Sequence, residues 1–566
     1  MNPISKIIRD VKFIVKSKKM LAAVEDVKAE SHNLLTDDFE RAVDAFKDRP
    51  AFESETGAWT YGEFDAYANQ VAHWGLAQGL VPGDTVAFFS NNRLEYVAVW
   101  FGLSKIGVIS ALINFQLRGK SLAHCVNIAK CKLAIVEADI QKSWASAKSH
   151  LDNDLATFIA FNGGAFDQAI RTQSQDRPQR DIRQNIVAGD TMLKMFTSGT
   201  TGLPKAAKMP HTRGQYYSRG FIIPSGATKD DRMMIVLPLY HATGGICGVG
   251  VALLQGGCLI IRRKFSVSGF WRDARNSKAT MFMYVGELCR FLLNAPPSKD
   301  DRDHCVRCIV GNGLRPEIWE DFTARFGIDK VVEFYGATEG NVSLINLDGK
   351  VGTVGRVPEY LRKNFNGDIV RYDIETGTYP RDENGFFIRT KPGEVGELIG
   401  EVRQDETRFR YDGYENKKAS AKKLLHNVFK QGDVWFHTGD LFRRDKDGYY
   451  AFVDRMGDTF RWKAENVSTN EVAGVIAAHP GVLQANVYGV PVPGYDGKAG
   501  MASIVVAPEF NLEDLRTHIH KSLPVYARPL FIRISNESDT TTTFKYKKTA
   551  LVKDGFDPTK VKDDLY

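Results

Sequence analysis

Cysteine is scarce: seven thiols among 566 residues (Cys125, Cys131, Cys247, Cys258, Cys289, Cys305 and Cys308), scattered and mostly in apolar surroundings. An odd, dispersed set excludes a disulfide framework and fits reduced thiols in a cytoplasmic compartment. Cys305-Val-Arg-Cys308, with His304 beside it, has metal-ligand spacing but no second pair, so it reads as ordinary core and strand cysteine. Repeats and low-complexity segments are missing, which excludes a solenoid or a largely disordered chain. Charge is nearly balanced, 75 basic against 68 acidic residues for a net of +7. Without a zinc-finger or ribonucleoprotein spacing, that small surplus gives no case for nucleic acid. The only two long apolar stretches are 97–117 and 244–261. The first carries Ser104, Lys105 and Asn114 and the second is rich in glycine. Both therefore read as buried helix–strand units rather than membrane spans. The N-terminus also lacks the continuous apolar core and cleavage site of a secretory signal.

The chain is too long for one ordinary core, so two or more domains are expected. At the N-terminus Ile4, Ile7, Ile8, Val11, Ile14 and Val15 recur at helical spacing among Lys6, Arg9, Lys12, Lys16, Lys18 and Lys19. Such a helix either lies on an anionic membrane surface or turns its apolar face onto the protein. From about Trp59, helical periodicity alternates with short β-branched runs: helices over 61–76 and 95–105, strands at 85–89, 109–112, 133–136, 233–237, 258–261 and 308–310. Alternation of this kind predicts an α/β fold with largely parallel sheets. Glycine-punctuated β-rich segments follow over 385–453. After the polar joint Asp454-Arg-Met-Gly-Asp-Thr459, a small α+β unit is expected, which divides the chain into 1–453 and 454–566.

The most informative segment is Met195-Phe-Thr-Ser-Gly-Thr-Thr-Gly-Leu-Pro-Lys205. Glycines let backbone N–H groups approach phosphate oxygens, hydroxyls add donors, and the lysine adds charge. The order differs from a Walker A loop, because Leu-Pro separates Gly202 from the lysine and no Lys-Ser/Thr pair closes it.

This loop resembles the phosphate loop of the adenylate-forming (AMP-binding) superfamily: acyl-CoA synthetases, luciferases and peptide-synthetase adenylation domains. Leu237-Pro-Leu-Tyr-His-Ala-Thr-Gly244, Phe334-Tyr-Gly-Ala-Thr-Glu-Gly340 and Trp435-Phe-His-Thr-Gly-Asp440 match its other motifs in order. Gly286-Glu-Leu-Cys-Arg290 and the run 454–469 are most similar to the fatty acid transport proteins, also called very-long-chain acyl-CoA synthetases.

The resemblance implies two α/β subdomains, a β-rich one and a mobile C-terminal lid. It also implies ATP, Mg²⁺ and coenzyme A as cofactor and co-substrates, and a long-chain fatty acid as the acid activated. By motif position, Thr197 and Glu339 would hold Mg²⁺, while Ser198, Gly199, Thr200, Thr201, Gly202 and Lys205 embrace the β- and γ-phosphates. Tyr335 would stack on adenine, with Gly336 a further nucleotide-binding position; Thr338 would contact the α-phosphate, and Asp440 would accept hydrogen bonds from the ribose hydroxyls with Arg455 nearby. His241 would gate the acyl and CoA entrance or simply cap a helix. Lys545, in Thr541-Thr-Thr-Phe-Lys545, would be the mobile lysine bridging carboxylate and α-phosphate, with Lys547 and Lys548 close enough for a different register.

Three positions depart from the family pattern. Gly457 stands at the hinge, where relatives carry Asp or Lys; Ala464 and Thr542 stand where they carry glycine. The open alternatives are a sterol side-chain, aromatic or carnitine-like acid, a peptide-synthetase-like domain, and a membrane transporter of fatty acids. Peripheral contact with the inner face of the membrane, and a homodimer, are compatible with this reading.

Overall fold

Apolar runs bounded by turn residues form the central strands of two parallel sheets, because strands covered by helices on both faces need no polar side. The computed structural model describes residues 3–197, 203–463, 465–495, 497–541 and 546–566. The expectations for Ser198, Gly199, Thr200, Thr201, Gly202, Ala464, Thr542 and Lys545 therefore lie outside the described residues.

One six-stranded sheet has the spatial order Ala156–Ala160, Leu133–Glu137, Thr85–Phe89, Ile109–Ile113, Thr191–Thr197, Lys205–Pro210. All neighbours are parallel except the final hairpin. An eight-stranded sheet is parallel from Lys330–Gly336 to Pro50–Ser54 and closed by antiparallel edges Ser343–Ile345 and Gly57–Thr60. An antiparallel sheet centred on Val395–Glu401, Val434–Arg444 and Tyr449–Arg455 follows. The last sheet, Val482–Pro491, Lys498–Val506, Phe531–Ile534 and Asp564–Leu565, carries the helices Thr469–Ala477 and Leu512–Ser522. Its own apolar core includes Phe460, Ile476, Leu515 and Ile519. The architecture is the expected mixed α/β one with a small C-terminal unit.

Both long apolar stretches fold as buried helix–strand pairs. The first becomes the helix Tyr96–Lys105 and the strand Ile109–Ile113. The second becomes the π-helical turn Thr243–Gly248, the helix Val249–Leu253 and the strand Cys258–Ile261. No helix among the described residues is long and apolar enough to cross a membrane.

Lys105 explains how a cation sits in such a stretch: it is fully buried, 2.6 Å from Asp65 and 3.1 Å from Glu40. Burial lowers the ammonium pKa while the two carboxylates raise it. Lys105→Ala would remove the buried cation that the two acids share, while Asp65 keeps Arg177 at 2.8 Å and Glu40 keeps Arg183 at 2.6 Å. It is expected to cost about 1–3 kcal/mol, read as a lower midpoint in urea unfolding.

The N-terminal helix, Pro3–Ala22, corrects one of the two readings of its apolar face. Ile4, Ile7, Ile8, Val11 and Val15 point to solvent, and the other side meets the protein. The expectation of core and strand cysteines holds for Cys308, buried in the strand Cys308–Asn312, but not for Cys305, which is exposed in the loop before it; the His304 ring stacks 4.4 Å from Trp271.

Candidate active site

The hairpin that frames the glycine-rich loop sets Thr197 directly opposite Lys205. The loop that emerges at the end of Lys330–Gly336, one of the parallel strands, brings Thr338 and Glu339 toward the same point. Crevices at the carboxyl ends of parallel strands are where α/β sheets bind ligands.

Tyr414 joins these pieces. Its hydroxyl donates to Glu339 Oε1 at 2.7 Å, its ring lies 5.3 Å from Lys205 Nζ, and the Thr197 side chain reaches its phenol. Burial and the Glu339 carboxylate push the phenol well above its ordinary value, so it remains a donor. The sequence reading missed Tyr414. Its only signal was an aromatic pair in the polar run Arg410-Tyr-Asp-Gly-Tyr414.

A second group forms where the eight-stranded sheet meets the antiparallel one. Tyr335 donates its hydroxyl to Asp440 Oδ2 at 2.6 Å, and Arg455 Nε stands 4.0 Å from Oδ1. Partial burial and Asp440 push the Tyr335 phenol up. Gly336 is exposed beside it.

Two supports of this framework were invisible in the sequence. Arg213 and Tyr217, one turn apart on the helix His211–Arg219, hold the backbone of the Ala337-Thr338-Glu339 motif. Arg213 Nη1 donates to Thr338 O at 2.7 Å and Tyr217 Oη to Ala337 O at 3.0 Å. Glu397, completely buried, accepts from the Gly439 N–H at 2.7 Å and from Tyr379 Oη at 2.5 Å, and lies 2.6 Å from His437 Nδ1. Gly439 has φ of 80°, a conformation that glycine adopts without strain, so Glu397 fixes the turn that aims Asp440. With Asp440 on the ribose, as the motif resemblance implies, Glu397→Ala is expected to raise the KM for ATP at least about tenfold. Steady-state kinetics at saturating acid and CoA check this.

His211 opens the helix carrying Arg213 and is buried, with its Nδ1 unpartnered. Burial pushes its pKa down to about 3, so the ring is neutral in the fold while the unfolded chain takes up a proton near pH 6.5. Stability is therefore full above pH 6.5 and falls as pH drops toward 3. The slope is up to about 1.4 kcal/mol per pH unit. His211→Gln should flatten the change in melting temperature between pH 7 and pH 5 relative to the parent chain.

His241 stands two residues before the π-helical turn, its carbonyl accepting from Gly245 N at 2.8 Å. A side chain at Gly245 would come within 1.9 Å of Leu239 O, so this close turn requires glycine. Short π-helical segments concentrate at functional sites.

On the C-terminal side, Gly457 lies in the turn after the strand Tyr449–Arg455. Asp454, wholly buried, accepts from the Thr469 N–H at 2.6 Å, Thr469 Oγ1 at 3.0 Å and Asn470 Nδ2 at 2.6 Å. Lys548 bonds Thr469 Oγ1 at 2.8 Å and pairs with Asp458 at 3.3 Å. Tyr546, the next residue after Lys545, donates to Glu287 Oε2 at 2.9 Å. Glu287 and Arg290 come from the Gly286-Glu-Leu-Cys-Arg290 segment. That motif thus receives the C-terminal unit, a role sequence resemblance alone did not reveal.

A parallel-stranded α/β body with this hydroxyl, lysine and carboxylate constellation defines a nucleotide-using class, and comparison with known proteins identifies it. The profile of the AMP-binding enzymes matches residues 39–400 and that of the AMP-binding enzyme C-terminal domain matches 471–545. The chain belongs to the AMP-binding enzyme family, the adenylate-forming acyl-CoA ligase superfamily, and within it stands with the long-chain fatty acid transport proteins. It is 40% identical over 522 residues to mouse long-chain fatty acid transport protein 6, covering 90% of this chain and 84% of that one. With human long-chain fatty acid transport protein 1 it shares 41% over 520 residues, covering 90% and 80%. A benzoate CoA ligase from Burkholderia xenovorans LB400 shares the fold, with a TM-score of 0.77 at 20% identity over 92% of this chain and 99% of the other.

Proposed function

We propose that the chain is an ATP-dependent long-chain or very-long-chain fatty acid–CoA ligase. A carboxylate oxygen of the acid attacks the α-phosphorus of ATP, the bond to pyrophosphate breaks, and an acyl-adenylate forms. The CoA thiol, losing its proton, then attacks the acyl carbonyl carbon, and AMP leaves with the anhydride oxygen.

The observation that carries this reading is the convergence of Thr197, Lys205 and Glu339 on Tyr414, with Asp440 and Tyr335 alongside. Lys205 supplies positive charge where β- and γ-phosphates would lie, and Ser198 to Gly202 would add hydroxyl and N–H donors. Asp440, aimed by Glu397, would accept from the ribose hydroxyls, and Tyr335 and Gly336 would face the adenine. Thr338, its carbonyl held by Arg213, would present its hydroxyl to the α-phosphate. Thr197 and Glu339 offer a hydroxyl and a carboxylate oxygen within reach of one phenol, a hard-donor pair that suits Mg²⁺ completed by phosphate oxygens and water. When bound, that ion would neutralise phosphate charge.

In this reading residues 454–566 act as a lid turning about Gly457, which would first present Lys545 to the two anions and later admit CoA past His241. The docking of Tyr546 on Glu287 supports an orientation suited to the first step. We place the enzyme at the inner face of a membrane by peripheral contact.

CoA-dependent AMP release from ATP tests the proposal across acids from acetate to very long fatty acids, with benzoate and a sterol side-chain acid included. Preference for long acids is the expected result. No AMP release with any acid, from folded protein supplied with Mg²⁺, would reject the reading.

A further inference from the structure

The N-terminal helix is mounted the wrong way round for a soluble surface. On an ordinary surface helix the apolar stripe faces the core and the charged face meets water. Here Ile4, Ile7, Ile8, Val11 and Val15, which share one face, are between 48% and 68% exposed. The opposite face is the anchored one. Asp10 pairs with Arg356 at 2.6 Å, and Lys16 Nζ donates to Leu347 O at 2.9 Å. Phe13 is buried under the Arg356 guanidinium, 4.5 Å from the ring centroid. Lys6 and Arg9 also reach Asp447, at 3.6 and 3.9 Å. The anchoring bonds hold the aliphatic stripe outward.

Cations mark what this stripe meets. Lys12 lies on its edge and Lys18 and Lys19 at its end; all three are exposed and pair with no acid among the described residues. The helix's one acid, Asp10, is engaged on the underside. An aliphatic face bordered by free lysines matches the acyl boundary and anionic headgroups of a phospholipid leaflet, where each basic residue adds attraction and its stem can reach up to the phosphates. A second copy of this chain fits less well, because two such faces would set Lys12, Lys18 and Lys19 against their own counterparts.

We infer that the outward face of Pro3–Ala22 docks the protein on an anionic phospholipid surface, the helix lying flat with Ile4, Ile7, Ile8, Val11 and Val15 inserted. That this docking delivers bilayer-dissolved acid to the active site rests on the ligase reading; the docking itself does not.

The test is cosedimentation of the full chain with vesicles of phosphatidylcholine alone or mixed with phosphatidylglycerol. The parent chain should bind the mixed vesicles more strongly, and less so at high salt. Ile7→Glu/Val11→Glu should lower the partition coefficient at least about tenfold, with an unchanged melting temperature as the folding control. Lys12→Gln/Lys18→Gln/Lys19→Gln should abolish the preference for phosphatidylglycerol. Absence of binding by the parent chain would overturn the inference, as would undiminished binding by the Glu variant. A solution dimer that ignores vesicles and dissociates in that variant would overturn it too, in favour of self-association.

AMP release separates the two readings. The Glu variant should keep its rate on a water-soluble short acid and lose rate on a long acid supplied in vesicles. A chain that binds vesicles but activates no acid would sink the ligase reading and leave the docking intact.

Discussion

Glu339→Ala is expected to lower CoA-dependent AMP release by about 10²- to 10³-fold, the usual cost of removing one preorganised electrostatic partner from a charge-transfer site. The structure makes this residue a hub, since its carboxylate receives the Tyr414 hydroxyl, which the Thr197 side chain also reaches, while Lys205 Nζ stands over the same ring. Removing it takes away the anionic oxygen proposed to share Mg²⁺ with Thr197. It also strands the Tyr414 donor. Tyr414→Phe should cost far less, because it keeps the ring beneath Lys205 and the carboxylate. Rates at saturating ATP, acid and Mg²⁺ distinguish the two: equal losses would make Glu339 a prop for Tyr414 rather than a group acting on the phosphates.

Lys545→Ala should abolish one half-reaction and spare the other. Pyrophosphate exchange, which reports adenylate formation, should fall by about 10²-fold or more, whereas CoA transfer from supplied acyl-adenylate should stay within severalfold of the parent rate. The neighbouring Tyr546 gives an internal comparison. Its bond to Glu287 ties the segment after Lys545 to the body of the protein, so Tyr546→Phe should slow exchange more than transfer, by a smaller factor than Lys545→Ala. If Lys547→Ala or Lys548→Ala reproduces the selective loss and Lys545→Ala does not, the register is wrong. Lys548 already pairs with Asp458 and Thr469 at the joint, which assigns it a different task in the present orientation.

Strands such as Thr85–Phe89 and Cys258–Ile261 were legible to the residue because both faces are covered, leaving an unbroken apolar run between polar or glycine neighbours. The strand expected at 233–237 instead runs Arg232–Ile235. Its apolar run continues past the last strand residue toward Pro238, so composition does not mark where pairing stops. Motif residues were legible by order along the chain, but their supports were not. Arg213 and Tyr217 act on carbonyls more than a hundred residues away, and main-chain carbonyls leave no trace in a sequence. Glu397 looked like one polar position in a glycine-bounded strand, and only the fold shows Gly439 and His437 over it. For the N-terminal helix, periodicity announced two faces but could not say which one the rest of the protein would claim. Asp10 and Lys16, finding partners in Arg356 and Leu347, decided that.

The pairing of Thr197 with Lys205 across a hairpin has a consequence for how this protein tolerates insertions and deletions. Residues added between the two lengthen the connection and leave the anchors face to face. One residue added within Thr191–Thr197 would reverse the side of every later residue in that strand, because side chains alternate along it. Thr197 would then turn from Tyr414 toward the opposite face. Natural length variation should therefore gather inside the loop and stop sharply at its two ends.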